Sequence, residues 1–282
     1  MKRILSIIII GAMAVIAASA QVTFQRTDST TVCRLLKQSD AKTDVVSLAR
    51  HFIGRPYVAH TLEVNDLEQL VVNTRQLDCT TLVETVTALT CCIRQGKRSW
   101  SDYVDMLTRL RYRGGKLDGY TSRLHYFTDW ILDKQRMSIV SEIQQPNPPF
   151  TAVQKVEANF MSRHPDYYKA LKTHPDMIPE IRKQEEALTG RTFRYIPKSA
   201  VKNTKLLRQT IHDGDIIAIT CNKPGLEIAH LGFAVWQKDG LHLLNASQLH
   251  KKVVLEPMTL YRYLQKHPSH TGIRIIRINS KL

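Results

Sequence analysis

The sequence predicts an α+β fold, in which helices come first along the chain and an antiparallel sheet follows. Apolar residues recur at steps of three and four after Cys79, which is the period of a helix. Helical patterns continue from about residue 96 to about residue 205. Beyond Asp215 the period changes, and short β-rich runs alternate with turns. Helices followed by strands are typical of the α+β class.

The N-terminus has the pattern of a secretory signal peptide over residues 1–20. Lys2 and Arg3 form a charged segment, an apolar run of about fifteen residues follows, and Ala18-Ser19-Ala20 is a small-x-small cleavage site. The alternative, an uncleaved anchor, is disfavoured because the run is short for a membrane span. The mature chain should begin at Gln21, with no stable membrane insertion. We therefore expect secretion across an inner membrane, to the periplasm.

The remaining residues, 21–282, suit a single domain that carries an insertion. The chain has 40 Lys and Arg against 25 Asp and Glu, a formal net charge of +15. Such an excess suggests an anionic partner, which could be nucleic acid, a membrane surface or a polymer of the cell envelope. Export disfavours nucleic acid, and the scattered positions of the basic residues are also compatible with a merely solvated surface.

The predicted elements follow in order. Residues 45–52 are predicted to form a helix that ends at the turn Gly54-Arg55-Pro56. Tyr57 follows in an extended segment. The helix after Cys79 has one apolar face. A mostly helical insertion then covers about residues 96–205, broken at Gly114-Gly115 and at residues 145–149. The predicted strands are Asp215 to Thr220, Ala229 to Trp236, Leu241 to Ala246, Lys252 to Leu255 and Gly272 to Ile278.

Cys79 stands where a loop becomes a helix. Unpaired backbone N–H groups and the positive end of the helix dipole favour a thiolate there, and a thiolate is a nucleophile near neutral pH. The alternative is a small buried residue, since free cysteine is often buried. The odd number of cysteines leaves at least one thiol unpaired in an exported protein, and the sequence does not decide the pairing of the others. The five are Cys33, Cys79, Cys91, Cys92 and Cys221.

His230 is the best candidate for a base that would activate Cys79. On its predicted strand it shares a face with Gly232 and Ala234, whose small side chains leave space around the imidazole. A histidine in a strand is more often an ordinary packed or surface residue. The small neighbours, together with a cysteine at a helix start, favour the catalytic interpretation.

A third polar residue should hold the base in one orientation. If residues 237–240 form a four-residue turn, Asn245 lies opposite Gly232 and is the diagonal neighbour of His230 on the same face. A tighter turn would move Asn245 too far away. Under the four-residue turn, Ser247 faces His230 directly and is the rival candidate. We select Asn245.

Other chemistries are not indicated. The chain has no G-x-S-x-G elbow and no glycine pattern for phosphate or dinucleotide binding. His267 and His270 flank a turn, but no cysteine or carboxylate pattern completes a zinc site around them. We therefore expect neither a metal nor a cofactor.

At these residues the chain resembles the NlpC-type, papain-like cell-wall cysteine peptidases, and within them the branch described as N-acetylmuramoyl-L-alanine amidase-like. The matching segments lie in the same order along most of the mature chain. They are residues 52–58 (FIGRPYV), 77–84 (LDCTTLVE), 159–165 (NFMSRHP), 195–198 (YIPK), 213–217 (DGDII) and 229–233 (AHLGF).

The resemblance implies a papain-like core in which the cysteine helix packs on the antiparallel sheet, beside the helical insertion. It also implies roles: Cys79 as the nucleophile, His230 as the general base and acid, and Asn245 as the third residue. Tyr57 would line the site near the oxyanion, and Asp78 and Thr80 would contact the substrate peptide.

Two departures concern the substrate contacts. Thr80-Thr81 stands where the superfamily commonly has Ser-Gly, and the residues after Tyr57 lack the usual glycine pair.

These features together lead to the hypothesis of an exported cysteine hydrolase that cuts an amide bond in peptidoglycan or in a muropeptide. Two bonds stay open: N-acetylmuramoyl–L-alanine, and γ-D-glutamyl–diamino acid within the stem peptide. The rivals are a non-catalytic wall-binding module and an acyltransferase on the same scaffold. A pure binding module would not need Cys79, His230 and Asn245 together, which favours the enzyme.

Overall fold

The computed structural model describes residues 22–40 and 42–280. The predicted signal peptide and its cleavage site before Gln21 lie outside the described residues. The longest described helix has 16 residues. Within the described part of the chain, no helix combines the length and the apolar character that crossing a membrane requires.

Helices and strands alternate irregularly in the first 200 residues and strands dominate afterwards. The described α-helices are α1 (Arg26–Gln38), α2 (Val45–Arg50), α3 (Cys79–Arg94), α4 (Trp100–Arg111), α5 (Phe127–Arg136), α6 (Phe160–Arg163), α7 (Lys169–Thr173), α8 (Ile178–Leu188), α9 (Lys205–Thr210) and α10 (Leu260–Gln265). The strands are β1 (Val22–Thr23), β2 (Leu70–Val71), β3 (Val140–Ile143), β4 (Ala152–Lys155), β5 (Thr192–Pro197), β6 (Ile216–Cys221), β7 (Ile228–Trp236), β8 (Leu241–Ser247), β9 (Lys252–Leu255) and β10 (His270–Ile278).

One eight-stranded sheet organises the molecule. Its strands lie in the order β4-β5-β10-β6-β7-β8-β9, and β3 also pairs with β10. All these pairs are antiparallel, whereas the short β1 and β2 pair in parallel elsewhere. The predicted α+β class is therefore confirmed. Each of the five strands predicted after residue 214 is present, with ends that differ by no more than two residues.

Helix α3 begins at Cys79 because Asp78 and Thr81 cap it reciprocally. The Asp78 carboxylate accepts from the Thr81 N–H at 2.8 Å, and the Thr81 hydroxyl accepts from the Asp78 N–H at 2.9 Å. This capping box satisfies backbone groups that a helix start leaves unpaired. The cysteine is thereby fixed as the first residue of the helix.

The surroundings of α3 differ from the prediction of a single apolar face. The apolar stripe that begins at Leu82 is buried, but the opposite face is buried as well. Glu84 on that face pairs with Arg111, whose Nε donates to the Glu84 carboxylate at 2.8 Å, both side chains being 3% exposed. Helix α3 packs against α1, α2 and α4 as well as against β7 and β8. It is a central helix rather than a surface one.

The insertion at residues 96–205 contributes strands as well as helices, so the prediction of a mostly helical segment is incomplete. Strands β3 and β5 pair with β10, and β4 pairs with β5. They escape a sequence search because each has four to six residues and because their partners are distant: β5 lies about 40 positions after β4, and β10 lies 70 or more positions after β3 and β5. The insertion is therefore built onto the same sheet that carries His230.

Arg274 on β10 joins the sheet to the insertion. Its side chain is fully buried, and its Nε donates to the Glu142 carboxylate at 2.5 Å. Its Nη1 donates to the Thr128 hydroxyl at 2.7 Å, and the guanidinium carbon lies 4.0 Å from the centre of the Phe193 ring. These partners come from β3, α5 and β5. A buried charge with partners on three elements fixes their relative positions.

Candidate active site

Cys79 is the first residue of α3, and its side chain is partly buried beside strand β7. Its backbone N–H has no hydrogen-bond partner in the described part of the chain. An unpaired N–H at a helix start can donate to an anionic oxygen. The sulfur and a potential oxyanion donor therefore belong to the same residue.

His230 on β7 is hydrogen-bonded to Asn245 on β8. The ring nitrogen Nε2 lies 3.0 Å from Asn245 Oδ1, and Asn245 Nδ2 donates to the Leu243 carbonyl at 3.2 Å. A carbonyl can only accept, so the second bond fixes the amide with Oδ1 toward the histidine. His230 Nε2 then carries the proton, and Nδ1 is unprotonated and is the basic nitrogen of the ring.

The strand register explains this contact. Strands β7 and β8 pair Trp236 with Leu241 and Phe233 with Leu244, so residues 237–240 form the turn and the next pair is Gly232 with Asn245. A Cβ atom on Gly232 would lie 2.7 Å from the Leu244 carbonyl oxygen. The absent side chain thus lets β8 approach β7 closely at the position beside His230.

Ser247, the rival candidate, has a different partner. It is buried, and its hydroxyl accepts from the His250 N–H at 3.2 Å in the turn after β8. In the described structure the hydrogen bond to His230 comes from Asn245. The geometry therefore favours Asn245 as the residue that orients the imidazole.

Cys79 and His230 open into one cavity of about 160 Å³. No hydrogen bond joins the thiol to the imidazole in the described structure, and such contacts often close only around a substrate. One wall is the start of β7 with the preceding loop, and the other belongs to the insertion. The lining residues beyond Cys79 and His230 are Thr80, His125, Tyr126, Phe127, Met161, Tyr168, Leu226, Glu227, Ile228, Ala229 and Leu231.

The protonation of the pair differs from the sequence expectation of a stabilised thiolate. Burial, reinforced by the Asp78 charge, raises the pKa of the Cys79 thiol to about 12, although hydrogen bonds from Leu231 and Thr80 act in the opposite direction. Burial also lowers the pKa of His230, against the hydrogen bond to Asn245. Each group is thus driven toward its uncharged form. Burial therefore favours a thiol and a neutral imidazole over the ion pair.

The three predicted substrate contacts occupy different positions. Thr80 lines the cavity. Tyr57 forms a β-bridge with Leu77, two residues before Cys79, and burial raises the pKa of its hydroxyl to about 12. The Asp78 carboxylate is used as the cap of α3 through Oδ1. The roles of these residues in substrate binding stay predictions.

The insertion wall and Glu227 are the parts of the site that sequence reasoning missed. His125, Tyr126, Phe127, Met161 and Tyr168 come from segments separated from Cys79 by about 45 to 90 positions. No periodicity relates these segments to the cysteine, so the sequence carried no signal for them. Glu227 stands just before the strand of His230, and a carboxylate at that place was a usable signal.

No set of three or more histidine, cysteine or acidic side chains is arranged to hold a metal ion within residues 22–40 and 42–280. All five cysteines are free thiols, and three of them are buried.

Comparisons with known proteins identify similar chains. The sequence model of the family described as N-acetylmuramoyl-L-alanine amidase-like matches residues 47–273, which include Cys79, His230 and Asn245. No curated protein matches. A solved structure of an N-acetylmuramoyl-L-alanine amidase from Bacteroides uniformis is 39% identical, with a TM-score of 0.78 over 84% of this chain and 99% of that chain.

Two further structures are similar. A candidate xylanase from Bacteroides fragilis is 41% identical, with a TM-score of 0.77 over 82% of this chain and all of that chain. A protein from Legionella pneumophila is 21% identical, with a TM-score of 0.69 over 89% of this chain and 94% of that chain. At that identity the Legionella protein shows the shared fold alone.

Proposed function

The chain belongs to the N-acetylmuramoyl-L-alanine amidase-like family, and we propose that it is a cysteine hydrolase that cleaves an amide bond in peptidoglycan. The family and the amidase from Bacteroides uniformis support a peptidoglycan amidase type of activity. The proposal adds the chemistry: Cys79 as nucleophile, His230 as general base and acid, and Asn245 as the residue that positions His230. It also places the chain in the NlpC-type, papain-like superfamily.

The single observation that carries this proposal is the bond from His230 Nε2 to Asn245 Oδ1 at 3.0 Å, in a histidine that shares its cavity with Cys79. It leaves Nδ1 as the nitrogen that can accept the thiol proton. Because the free pair is neutral, the thiolate would form as the sulfur attacks, with proton transfer from Sγ to Nδ1. Stabilisation of the resulting imidazolium is the contribution of Asn245.

The remaining steps follow from acyl-transfer chemistry. Attack of the sulfur on the amide carbonyl gives a tetrahedral oxyanion, to which the unpaired Cys79 N–H can donate. His230 then protonates the leaving amine as the C–N bond breaks, and a thioester to Cys79 remains. Water, deprotonated by His230, attacks the thioester and releases a carboxylic acid and the thiol.

The bond that is cut is proposed to be N-acetylmuramoyl–L-alanine, as the name of the Bacteroides uniformis relative suggests. The alternative is the γ-D-glutamyl–diamino acid bond. A glycosidic bond is disfavoured, since most glycosidases use two carboxylates that flank the scissile bond. Among the described side chains that line the cavity, Glu227 is the one carboxylate.

The site of action is proposed to be the periplasm. The charged segment, the apolar run and the Ala-Ser-Ala site in residues 1–20 support export. Peptidoglycan and its fragments are present in that compartment. Export and substrate are therefore mutually consistent.

Digestion of purified muropeptides followed by mass spectrometry tests the proposal. We expect the wild type to release free stem peptide from muramoyl peptides, and Cys79→Ala, which keeps a good helix former at the start of α3, to release none. Cleavage between D-glutamate and the diamino acid would favour the alternative bond. Binding to sacculi without any product would favour the wall-binding module, and amide exchange with an added amine would favour the acyltransferase.

A further inference from the structure

Glu227 is a buried carboxylate in the wall of the catalytic cavity. The residue is 3% exposed, and its side chain lines the cavity that Cys79 and His230 share. Its Oε1 accepts from the Thr128 N–H at 3.0 Å, and its backbone carbonyl accepts from Gln154 Nε2 at 2.7 Å. Its Oε2 has no hydrogen-bond partner among the described residues but is not shut off from solvent. One carboxylate oxygen is thus fixed, and the other can accept a hydrogen bond inside the cavity.

We propose that Glu227 positions the water that hydrolyses the thioester to Cys79. The inference rests on the proposed function, because that reaction forms the thioester. A lone pair of the water must point at the carbonyl carbon, which requires that both of its hydrogens be directed elsewhere. His230 Nδ1 accepts one hydrogen as the general base, and Glu227 Oε2 is the acceptor for the other. Two acceptors restrict the rotation that a single hydrogen bond would leave free.

The dimensions of the cavity bring such a water close to both acceptors. About 160 Å³ corresponds to roughly five water molecules at liquid density. Glu227 also stands three positions before His230, which is roughly 10 Å of extended chain, and both side chains line this one small space. A water beside His230 Nδ1 is therefore within reach of the Glu227 carboxylate, directly or through one further water.

The charge of Glu227 distinguishes it from the other polar side chains of this wall. The Thr80 and Tyr168 hydroxyls also line the cavity, but each carries a hydrogen of its own and can donate as well as accept. Burial lowers the pKa of His125 to about 3, so its imidazole is uncharged at neutral pH. An ionised carboxylate only accepts, and a hydrogen bond to it is roughly twice as strong as one to a neutral group. Glu227 is therefore the side chain best suited to fix the orientation of the water.

The position of this water decides what becomes of the thioester. The water oxygen forms the new bond to the carbonyl carbon, the C–S bond breaks, and the proton accepted by His230 passes to the sulfur. The Glu227 carboxylate keeps its charge throughout. An amine that attacked in place of the water would give an amide, which is the reaction of an acyltransferase. A water positioned by Glu227 therefore favours hydrolysis over transfer.

The substitution Glu227→Gln replaces the acceptor at the water by a donor. The Thr128 N–H is a donor, so the glutamine carbonyl oxygen stays beside it and the NH₂ group takes the place of Oε2. That NH₂ group would occupy a lone pair of the water and leave one of its hydrogens without an acceptor. We expect hydrolysis of the thioester to slow roughly 10- to 100-fold, while the formation of the thioester keeps its rate.

Hydrolysis of the 4-nitrophenyl ester of N-acetylmuramic acid by the full mature chain separates the two steps. The rapid phase of nitrophenol release reports acylation of Cys79, and the steady phase reports hydrolysis of the thioester. Glu227→Gln should keep the rapid phase, slow the steady phase and accumulate the muramoyl adduct on Cys79 in intact-protein mass spectrometry. Added glycinamide should accelerate this variant more than the wild type, because the amine attacks without the positioned water.

The matched control is Glu185→Gln. Glu185 is a buried carboxylate of the insertion that accepts from Tyr126 and from the Met161 N–H but does not line the cavity. Both phases of nitrophenol release in this variant should equal those of the wild type. Cys79→Ala gives the rate of uncatalysed ester hydrolysis.

Three results would overturn the inference alone. They are an unchanged steady phase in folded Glu227→Gln, a rapid phase that slows as much as the steady phase, and an equal loss in Glu185→Gln, which would trace the effect to packing of the wall. Failure of the proposed function is a different result. In that case the wild type releases no more nitrophenol than Cys79→Ala, and the inference fails together with the proposed function.

Discussion

Replacement of Asn245 by alanine separates an orienting role from a merely structural one. In the structure Asn245 accepts from His230 Nε2 at 3.0 Å and is itself fixed by the Leu243 carbonyl. Alanine removes the acceptor, so the imidazole can rotate and can exchange its two neutral tautomers. The thiol and the basic nitrogen are untouched. We therefore expect a slower enzyme rather than an inactive one.

The magnitude follows from the charge that develops on His230. In the transition state the ring becomes an imidazolium, and a hydrogen bond to a charged group contributes about 1.5–3 kcal/mol. At 1.36 kcal/mol for each factor of ten, kcat should fall roughly 10- to 150-fold. The hydrogen bond to Asn245 also raises the pKa of His230, against the larger effect of burial. Its removal should move the acidic limb of the kcat profile to lower pH.

The assay is release of stem peptide from a purified muropeptide as a function of pH, with thermal unfolding as the check on folding. Ser247→Ala is the matched control on the same strand, since its hydroxyl is bonded to the His250 N–H. We expect that variant to keep wild-type kcat and the wild-type acidic limb. An unchanged kcat in folded Asn245→Ala, or an acidic limb that moves to higher pH, would refute the reasoning.

Three further predictions follow. Because burial lowers the pKa of His230 from 6.5 and raises that of Cys79 to about 12, the acidic limb of the kcat/KM profile should have its midpoint below pH 6.5, and the profile should stay flat at alkaline pH. For the same reason, iodoacetamide should alkylate Cys79 slowly at pH 7. In Gly232→Ala the new Cβ would lie 2.7 Å from the Leu244 carbonyl oxygen, so we expect about 1–3 kcal/mol of destabilisation in urea unfolding and a fall in kcat as β8 moves away from His230. Arg274→Met leaves a buried carboxylate unpaired, which should cost roughly 3–5 kcal/mol in the same measurement, and a loss under 1 kcal/mol would contradict that account.

The sequence could predict the local parts of the site because each depends on neighbouring residues. A capped helix start fixes Cys79, and a hairpin with a four-residue turn fixes the register that brings Asn245 to His230. Both are determined within about twenty residues of chain. The cysteine and the histidine are 151 positions apart, and only the family resemblance joined them at that stage.

The protonation of Cys79 could not be predicted from its position alone. The sequence places the thiol at the positive end of a helix, which lowers its pKa, but burial is a tertiary property that acts in the opposite direction. Burial of both faces of α3 is also a tertiary property, so the local sequence pattern did not predict it. The stripe after Leu82 predicts one packed face, whereas the buried pair of Glu84 with Arg111 on the other face requires α4 to be in place.

The insertion is the part of the fold that is hardest to predict from sequence, and it also forms one wall of the cavity. Its strands β3 and β5 flank β10, and Arg274 of β10 bonds the Thr128 hydroxyl, while the Thr128 N–H donates to Glu227 in the cavity wall. A change in the packing of the insertion can therefore reach the substrate wall without moving Cys79 or His230, which belong to the core helix and sheet. One wall of the cavity thus comes from elements other than those that carry Cys79 and His230. Under the proposed function, we expect substitutions in the insertion to change which peptide is accepted while the reaction at Cys79 stays the same.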